Sequence, residues 1–503
     1  MKAKNLPAII INASLWLLAT NAHSQATFAN FHTFGALTIY GTNSDGANPY
    51  GGLIVSGSTM YGMTTYGGKS SGTIFRINMD GSGFTNLYSF SEMTFNSSLQ
   101  NGTNRDGAGP SGELVLSGSN LYGVTQIGGA MGTGTIFKIG TDGSNYTVLH
   151  TFSVPTYDST SELYTNADGA TPYAGLILSG STLYGTTAGG GGGSSGVVFS
   201  LDVSGQPFST LYNFTAAMPA TTGWYTNSDG SFPRGSLCLL GGFLYGTTQS
   251  GGTNGVGTIF KINAGGMNFT NLHAFGRPAY DYSQSVYSNR DGIYPECGLV
   301  SDGGALYGTT YNGARTGYGT VFRMDSSGGG FTNLYDFTYG DDGANLQSGL
   351  ILSNNVLYGT AENGGSAGYG TVFQLNTNGT GFSTVHAFSQ LNQDAAGNNT
   401  NSDGAYPDAK LMLSGGTLYG TTSGGGTNGH GTVFAVNPPA ASGLIRLNIQ
   451  LSTTNLILTW SNSAYVLQMA TTVNGSYMDI TNATNPYTNT TAESSKFFRL
   501  HLP

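Results

Sequence analysis

The hydrophobic positions of the chain fall in short runs that are separated by Gly, Ser, Asn and Asp. One stretch contains four such runs, 175–180 (GLILSG), 183–187 (LYGTT), 196–199 (GVVF) and 208–214 (FSTLYNF). Short runs of branched and aromatic residues between turn-forming residues are typical of β-strands, and no 3.6-residue period is sustained between them. The pattern therefore predicts an all-β unit of four short strands.

This unit occurs seven times. A Tyr-Gly pair recurs at steps of 61, 62, 61, 62, 51 and 61 residues, and an Asp-Gly pair always precedes its tyrosine by 16 residues. The tyrosines are Tyr61, Tyr122, Tyr184, Tyr245, Tyr307, Tyr358 and Tyr419, and the aspartates are Asp45, Asp106, Asp168, Asp229, Asp291, Asp342 and Asp403. Four strands per repeat at this spacing match the blade of a β-propeller better than the shorter coil of a solenoid.

The two ends of the repeat array predict a closed ring. The seventh unit stops after 431–434 (GTVF) and lacks a fourth strand, whereas the segment 28–34 (FANFHTF) parallels the fourth strand 84–90 (FTNLYSF). One strand from the N-terminal side would complete the last blade and remove the exposed sheet edges. We therefore expect residues 27–437 to form a seven-bladed β-propeller.

The repeat also resembles a known family. The motifs Leu-Tyr-Gly-Thr-Thr, Gly-Gly and Gly-Thr-[Ile/Val]-Phe are similar to those of the GloVer-type tandem repeat of secreted bacterial proteins, and the resemblance covers all seven units. It implies a β-propeller-like repeat protein with a variable C-terminal anchor. It implies no particular activity, because the family has no agreed one.

The two ends of the chain differ from the repeats. Lys2 and Lys4 precede an apolar run over 6–19 and small residues, which predicts a signal peptide over 1–26 with cleavage near Ser24 or Ala26. A membrane anchor is the weaker alternative, because the run is short and interrupted, and no later stretch reaches spanning length. We expect a secreted or cell-surface protein with no transmembrane segment.

A further module is predicted over 438–503. Glycine becomes rare there, the strand-like runs lengthen, and Asn474-Gly475 is a hairpin turn signal. This predicts a small C-terminal β-sandwich of the immunoglobulin or fibronectin type, with Trp460 in its core. The whole chain is expected to be a monomer.

Composition excludes several classes of function. The 503 residues carry a net charge of −9, only 8% of them are charged, and the cations are scattered rather than clustered. Nucleic-acid binding is therefore excluded, because phosphate recognition needs grouped Lys and Arg. The two cysteines, Cys238 and Cys297, lie three positions out of register in neighbouring repeats; we expect small buried residues rather than a bridge, although the sequence does not settle their pairing. No motif implies a cofactor.

Two repeated polar positions are interpreted as structural, so no catalytic or metal-binding residue is predicted. Histidine occupies one position in four units and tyrosine fills it in the other three, which indicates packing. The Asn-x-Asp-Gly motif lacks the first carboxylate of a calcium loop, so an Asx-turn is favoured over a metal site. The histidines are His32, His150, His273 and His386, and the tyrosines are Tyr88, Tyr212 and Tyr335.

The positions that vary between repeats are the candidate ligand-binding residues. Loops of unequal length between the fourth strand and the next Asp-Gly pair carry aromatic residues, and charged residues follow the proline that opens several blades. The candidates are Tyr164, Trp224, Tyr225 and Tyr287 in the loops, and Glu113, Arg234, Glu296, Asp408 and Lys410 after the prolines. Insertions gathered on one face of a repeat array usually mark a binding face. The alternatives are packing lids for the aromatic residues and solvated strand ends for the charged ones.

Three functions remain open. The leading hypothesis is a non-enzymatic binding scaffold for a polysaccharide or a surface protein. The second is a carbohydrate-active enzyme that uses Glu113, Glu296 or Asp408, since a glycoside hydrolase needs two carboxylates roughly 5–10 Å apart. The third is a purely structural component of the cell envelope.

Overall fold

The computed structural model describes residues 26–438 except 222 and 283, and then 448–451, 455–459, 466–470, 478–480, 487–490 and 497–501. Residues 1–25 of the predicted signal peptide and Trp460 lie outside the described residues. The described part is all-β. None of it forms a helix long and apolar enough to cross a membrane.

The strands of the repeat region are short and follow one another closely along the chain. The first are β1 (Thr27–Thr33), β2 (Ile54–Ser56), β3 (Thr59–Thr64), β4 (Thr73–Asn78), β5 (Thr85–Ser89), β6 (Thr94–Asn96), β7 (Asn101–Thr103), β8 (Ala108–Ser117), β9 (Asn120–Ile127), β10 (Thr135–Gly140), β11 (Thr147–Thr151), β12 (Thr156–Asp158) and β13 (Leu163–Thr165). Next come β14 (Ile177–Ser179), β15 (Thr182–Thr187), β16 (Val197–Asp202), β17 (Phe208–Asn213), β18 (Met218–Pro219), β19 (Tyr225–Thr226), β20 (Cys238–Leu240), β21 (Phe243–Thr248), β22 (Thr258–Asn263), β23 (Thr270–Ala274), β24 (Ala279–Asp281) and β25 (Val286–Ser288). The last are β26 (Val300–Ser301), β27 (Ala305–Thr310), β28 (Thr320–Asp325), β29 (Thr332–Asp336), β30 (Ile351–Ser353), β31 (Val356–Ala361), β32 (Thr371–Asn376), β33 (Ser383–Ala387), β34 (Asn392–Gln393), β35 (Asn399–Thr400), β36 (Met412–Ser414), β37 (Thr417–Thr422) and β38 (Thr432–Asn437).

These strands form seven blades, as predicted. Each of the first six blades is a four-stranded antiparallel sheet in chain order, namely β2–β5, β8–β11, β14–β17, β20–β23, β26–β29 and β30–β33. The seventh is β36–β38 with β1 at its outer edge. β1 pairs with β38 over Thr27↔Asn437 to Thr33↔Thr432, which confirms that a strand from the N-terminal side completes the ring.

The first strand of each blade lies innermost. Backbones of neighbouring first strands approach so closely that a Cβ atom on Gly51 would lie 2.3 Å from the carbonyl oxygen of Gly112. A Cβ atom on Gly112 would in turn lie 2.2 Å from the backbone nitrogen of Gly175. Glycine is therefore required at these two contacts, and the first strands surround a central channel.

The hydrophobic core lies between adjacent blades. One cluster packs Tyr61 and Ile74 of the first blade against Leu121 and Phe137 of the second, and the other junctions repeat this pattern. Two phenylalanines per repeat supply the largest buried rings. Among the described residues, fourteen phenylalanine side chains are fully buried, Phe34, Phe75, Phe90, Phe137, Phe152, Phe199, Phe214, Phe260, Phe275, Phe322, Phe337, Phe373, Phe388 and Phe434.

The repeated histidine or tyrosine of the fourth strand bonds to the next Asp-Gly aspartate. His150 Nε2 lies 3.0 Å from Asp168 Oδ2, and the His150 ring stacks on Phe208 with centroids 4.0 Å apart. The seven pairs are His32–Asp45, Tyr88–Asp106, His150–Asp168, Tyr212–Asp229, His273–Asp291, Tyr335–Asp342 and His386–Asp403. The packing role predicted for this position is confirmed. The hydrogen bond to the aspartate was not predicted.

The asparagine of the Asn-x-Asp-Gly motif makes the predicted turn. Asn104 Oδ1 accepts hydrogen bonds from the backbone N–H groups of Gly107 at 2.9 Å and Gly129 at 2.8 Å. The first bond closes the turn, and the second joins it to the Gly-rich hairpin between β9 and β10. In the six repeats that have this asparagine, the motif thus fixes the segment between blades against the neighbouring hairpin.

Five of the segments between blades fold into small β-hairpins, where the sequence predicted irregular loops. They are β6–β7, β12–β13, β18–β19, β24–β25 and β34–β35. Their strands are only two or three residues long, and aromatic residues face each other across two of them, as in Tyr157↔Tyr164 and Tyr280↔Tyr287. Because the blade strands are antiparallel, these hairpins and the Gly-rich hairpins between second and third strands share one face, which we call the loop face.

The C-terminal region contains two three-stranded sheets. Its strands are β39 (Asn448–Leu451), β40 (Asn455–Thr459), β41 (Val466–Ala470), β42 (Met478–Asp479), β43 (Tyr487–Thr490) and β44 (Phe497–His501). The sheet orders are β39-β40-β43 and β42-β41-β44. The side chains of Leu458 and Leu467 are fully buried.

Candidate functional site at the channel mouth

One residue of each blade lies at the mouth of the central channel on the loop face. It follows the opening proline in six blades and Leu346 in the sixth blade. Because the repeats are in register, this position forms a ring, which we call the mouth ring. Its members are Tyr50, Ser111, Tyr173, Arg234, Glu296, Gln347 and Asp408. The structure therefore brings the predicted residues Arg234, Glu296 and Asp408 together.

The other two predicted charged residues lie deeper in the channel. Glu113 and Lys410 are two positions further along their inner strands, and Lys410 Nζ lies 3.7 Å from Glu113 Oε1. The Glu113 side chain and the Lys410 carbonyl fill the space beside Gly52, where a Cβ atom would lie 2.8 Å from Glu113 Cγ and 2.9 Å from the Lys410 oxygen. The pair joins the seventh blade to the second across the first.

A further set of residues, all polar except one alanine, surrounds the mouth ring, and it was not predicted from the sequence. It follows the Leu-Tyr-Gly-Thr-Thr motif at the end of each second strand, where the residue changes in almost every repeat. The seven residues are Thr65, Gln126, Ala188, Gln249, Tyr311, Glu362 and Ser423. Glu362 is the only carboxylate at this position, and that exception in an aligned repeat was the signal that could have found it.

The mouth encloses a polar cavity of about 430 Å³. Its walls are tyrosines, amides, hydroxyls and two carboxylates, contributed by both sets of residues and their neighbours. The lining residues are Tyr50, Thr65, Tyr66, Gln126, Tyr173, Gln347, Glu362, Tyr406, Asp408 and Ser423. A cavity of this size falls in the range of small-molecule sites, about 300–1,000 Å³.

Arg234 and Glu296 form one charged pair in the mouth ring. Arg234 Nη1 lies 4.0 Å from Glu296 Oε2, and the guanidinium carbon lies 5.2 Å from the centroid of the Tyr173 ring. Gln249 Nε2 donates a hydrogen bond to Glu296 Oε1 at 2.6 Å. Burial raises the pKa of Glu296, although Arg234 and Gln249 oppose the rise.

Asp408 and Glu362 form a second acidic group, and its hydrogen-bond donors are neutral. Asp408 Oδ2 accepts a hydrogen bond from the Ser423 hydroxyl, whereas its Oδ1 is buried and has no hydrogen-bond partner in the described part of the chain. Gln347 Nε2 donates to Glu362 Oε2 at 3.0 Å. Burial and then the negative charge of Glu362 raise the pKa of Asp408 well above its ordinary value. Burial also raises the pKa of Glu362, and the charge of Glu296 adds to the rise.

The phenol groups at the mouth respond to the same environment. Burial, followed by the charge of Asp408, raises the pKa of Tyr50 to about 12. Burial and the charge of Glu362 raise the pKa of Tyr311 to about 12. These phenols therefore stay protonated at neutral pH and can donate hydrogen bonds to a ligand or to the carboxylates.

The predicted aromatic residues lie on the hairpins of the loop face, outside the channel mouth. Tyr164 and Tyr225 are 62% and 61% exposed, and the Tyr164 ring lies 5.4 Å from that of Tyr157. Tyr287 is exposed as well, with its ring 5.0 Å from that of Tyr280. These side chains present ring surfaces to solvent.

Trp224 differs from the other predicted aromatic residues because it is half-buried. Its ring meets that of Tyr287 edge-on at 5.7 Å and lies 6.4 Å from the ring of Tyr294. Its Cβ atom packs on Gly255 of the neighbouring hairpin, where an added Cβ would lie only 2.6 Å away. Trp224 therefore packs the third inter-blade hairpin against the fourth.

Neither a disulfide nor a metal-ligand cluster is found among the described residues. Cys238 and Cys297 are both free, Cys297 is buried, and burial raises its thiol pKa to about 12. Within the described residues, no group of three or more His, Cys, Asp or Glu side chains could hold a metal ion.

Comparison with known protein families identifies the family of the repeats. The chain matches the Gloeobacter/Verrucomicrobia repeat family over three overlapping segments, residues 25–225, 164–287 and 280–400. These segments cover well over half of the chain, so the protein belongs to this family of repeat proteins, as its motifs predicted. No curated protein matches the chain.

Solved structures similar to this one include proteins of different functions. The Niastella koreensis GH74 enzyme is 16% identical with a TM-score of 0.47, and the match covers 85% of this chain and 59% of that one. An oligogalacturonate lyase in complex with manganese is 11% identical with a TM-score of 0.45, covering 82% and 97%. The Vibrio parahaemolyticus oligogalacturonate lyase is 10% identical with a TM-score of 0.43, covering 82% and 97%. At these identities and TM-scores the matches carry no argument about function.

Proposed function

We propose that this protein is a secreted or cell-surface binding scaffold whose propeller holds an extracellular polysaccharide on the loop face. One observation carries the proposal. Every exposed tyrosine or phenylalanine among the described side chains lies on that face. They are Tyr40, Tyr50, Tyr66, Phe95, Tyr157, Tyr164, Tyr225, Phe232, Tyr280, Tyr282, Tyr287 and Tyr339.

The asymmetry supports binding because each of these side chains leaves a large part of its surface exposed, even where the ring also contacts a neighbour within the hairpins, as Tyr157 contacts Tyr164. The repeated phenylalanines are buried between blades, so the fold does not need a second aromatic set on the hairpins. Tyrosine rings with polar neighbours suit sugar rings, which offer an apolar face and a rim of hydroxyls. A ligand that buries such rings gains most of its affinity from a few of them.

Two further parts of the proposal concern attachment. The N-terminal segment acts as the export signal, and the two C-terminal sheets form a β-sandwich of the immunoglobulin or fibronectin type that attaches the protein at the cell surface. The three units of this organisation are 1–26, 27–437 and 438–503. The protein works as a monomer without a cofactor.

The experiment is a pull-down of the mature chain on a panel of insoluble polysaccharides. We expect the double variant Tyr157→Ala/Tyr164→Ala to lose about tenfold or more in affinity, since truncated anchors cost upwards of about 1–2 kcal/mol. Met267→Ala is the matched control, because Met267 is also exposed but lies between β22 and β23 on the opposite face. Equal retention of both variants would place binding elsewhere.

The carboxylates at the mouth support a second candidate, a carbohydrate-active enzyme. Glu296, Glu362 and Asp408 lie near one cavity, and raised pKa values are what a general acid needs. Release of new reducing ends from a polysaccharide, abolished by Asp408→Asn or Glu362→Gln, would establish this function. Retention of polysaccharide without product release would leave the binding scaffold.

A further inference from the structure

Two carboxylates at the channel mouth have no cationic partner among the described residues. Arg234 pairs with Glu296 and Lys410 with Glu113, and no ion pair reaches Glu362 or Asp408. Asp408 lines the cavity, and its buried Oδ1 accepts no hydrogen bond from any residue that the structure describes. A buried carboxylate is costly unless a cation or several hydrogen bonds compensate it. A bound cation would therefore compensate the negative charge of Asp408 and Glu362.

The walls of the cavity are suited to an organic cation. Four tyrosines line it, Tyr50, Tyr66, Tyr173 and Tyr406. Aromatic faces attract ammonium and guanidinium groups within about 6 Å of the ring centroid. The Arg234 guanidinium lies over the Tyr173 ring, 5.2 Å from its centroid, so one cation–π contact already exists at the channel mouth.

A metal ion fits the same cavity less well. Calcium takes six to eight oxygen ligands and magnesium demands near-octahedral geometry. The cavity wall provides two carboxylates, and no metal-binding group of acidic, His or Cys side chains occurs in the described part of the chain. Aromatic walls contribute no ligand to such an ion but do stabilise an ammonium group.

We propose that the channel mouth binds the free ammonium group of an amino sugar, with Asp408 and Glu362 as its anionic partners and the tyrosines as its walls. This inference rests on the proposed function and specifies its ligand, a polysaccharide that carries non-acetylated amino sugars. The cavity of about 430 Å³ has room for one sugar unit. The Glu113–Lys410 pair lies below it, so the sugar enters from the loop face.

The test compares two oligosaccharides that differ only in the charged group. Isothermal titration of the mature chain is carried out with a glucosamine hexamer and an N-acetylglucosamine hexamer. It is done at neutral pH, where part of the amine is protonated and the carboxyls of Asp408 and Glu362, whose pKa values are raised, are ionised to a greater extent than in acid. We expect the glucosamine hexamer to bind at least about tenfold more tightly, because a hydrogen bond between two charged groups is stronger than one between neutral groups. Asp408→Asn and Glu362→Gln should each remove most of this preference. The control Asp341→Asn, an exposed aspartate on the same face, should retain it.

Several results would overturn the inference. Equal affinity for the two hexamers would show that the amine is not recognised, and so would a preference kept by both mouth variants with unchanged melting curves. A stabilisation by calcium that disappears in Asp408→Asn would assign the site to a metal ion. Retention of neutral polysaccharides through the hairpin tyrosines would then leave the proposed function standing. Conversely, amine-dependent binding of the hexamer without retention of any polymer would support this inference and contradict the polysaccharide scaffold.

Discussion

Phe34 provides a direct test of how the ring is closed. It follows β1, whose partner strand β38 lies at the other end of the repeat array, and its side chain is fully buried. Its ring centroid lies 5.4 Å from that of Phe75, and its backbone N–H donates to the Gly431 carbonyl at 3.1 Å. Phe34 thus joins the last blade to the first.

Phe90 is the matched residue inside the array. It occupies the same repeat position, is also fully buried, and its N–H donates to the Gly72 carbonyl at 3.1 Å. Removing a buried phenylalanine ring costs about 3–5 kcal/mol in unfolding free energy. We expect Phe34→Ala and Phe90→Ala to destabilise the protein by similar amounts within that range, because their surroundings are equivalent.

The assay is denaturant unfolding of both variants, followed by tyrosine fluorescence and circular dichroism. A protein of this size is not assumed to unfold in one step, so the midpoint of the first transition is compared. Deleting residues 27–34 should go further, exposing the edge of β38 and causing aggregation. If Phe34→Ala unfolds like the wild type while Phe90→Ala is destabilised, the N-terminal strand does not close the ring in solution.

Three other predictions concern polar groups. His150→Tyr should change the melting temperature little, because Tyr212 makes the same bond to Asp229 at 2.8 Å and the same stack on Phe269 at 3.9 Å, whereas His150→Ala should lose about 1–3 kcal/mol of stability in thermal unfolding. Chelators should leave the melting temperature unchanged because Asn104 makes an Asx-turn, while Asn104→Ala should lower it; a rise on adding calcium would contradict this. Asp408→Asn should stabilise the protein at neutral pH. The Asp408 carboxyl ionises at about pH 4 in the unfolded chain, but its pKa in the folded protein is raised. Asp408 therefore destabilises the folded protein increasingly as the pH rises from about 4 to the folded-state pKa. Melting curves should show that the stability gained by Asp408→Asn disappears below about pH 4. The same gain at every pH would show that the raised pKa of Asp408 is not its cause.

The fold could be predicted from the sequence because seven copies of the repeat can be aligned with one another within the single chain. Seven copies of one strand pattern give the blade, and the segment 28–34 gives the closure without any further information. The hairpins in the variable segments could not be predicted in the same way. Strands of two or three residues, such as β18 and β19, have too little periodicity to distinguish them from a loop.

The candidate site could be predicted only in part. Arg234, Glu296 and Asp408 stand out because charged residues are rare and follow a repeated proline. Gln347 occupies the same ring position but was missed, because Leu346 replaces the proline in the sixth blade.

The burial of Trp224 could not have been found from sequence at all. It depends on contacts with Tyr287 and Gly255, which belong to other segments of the fold. Periodicity within one repeat contains no information about packing between two hairpins.

The most direct measurement is a glycan array probed with the purified mature protein, with the supernatant analysed for released sugars. The binding of one class of polysaccharide without product release, lost in Tyr157→Ala/Tyr164→Ala and kept in Met267→Ala, is the result expected for a scaffold that binds through its loop face. Release of products would show an enzyme. Silence across the array from a correctly folded protein would contradict the proposed function and indicate a structural envelope component.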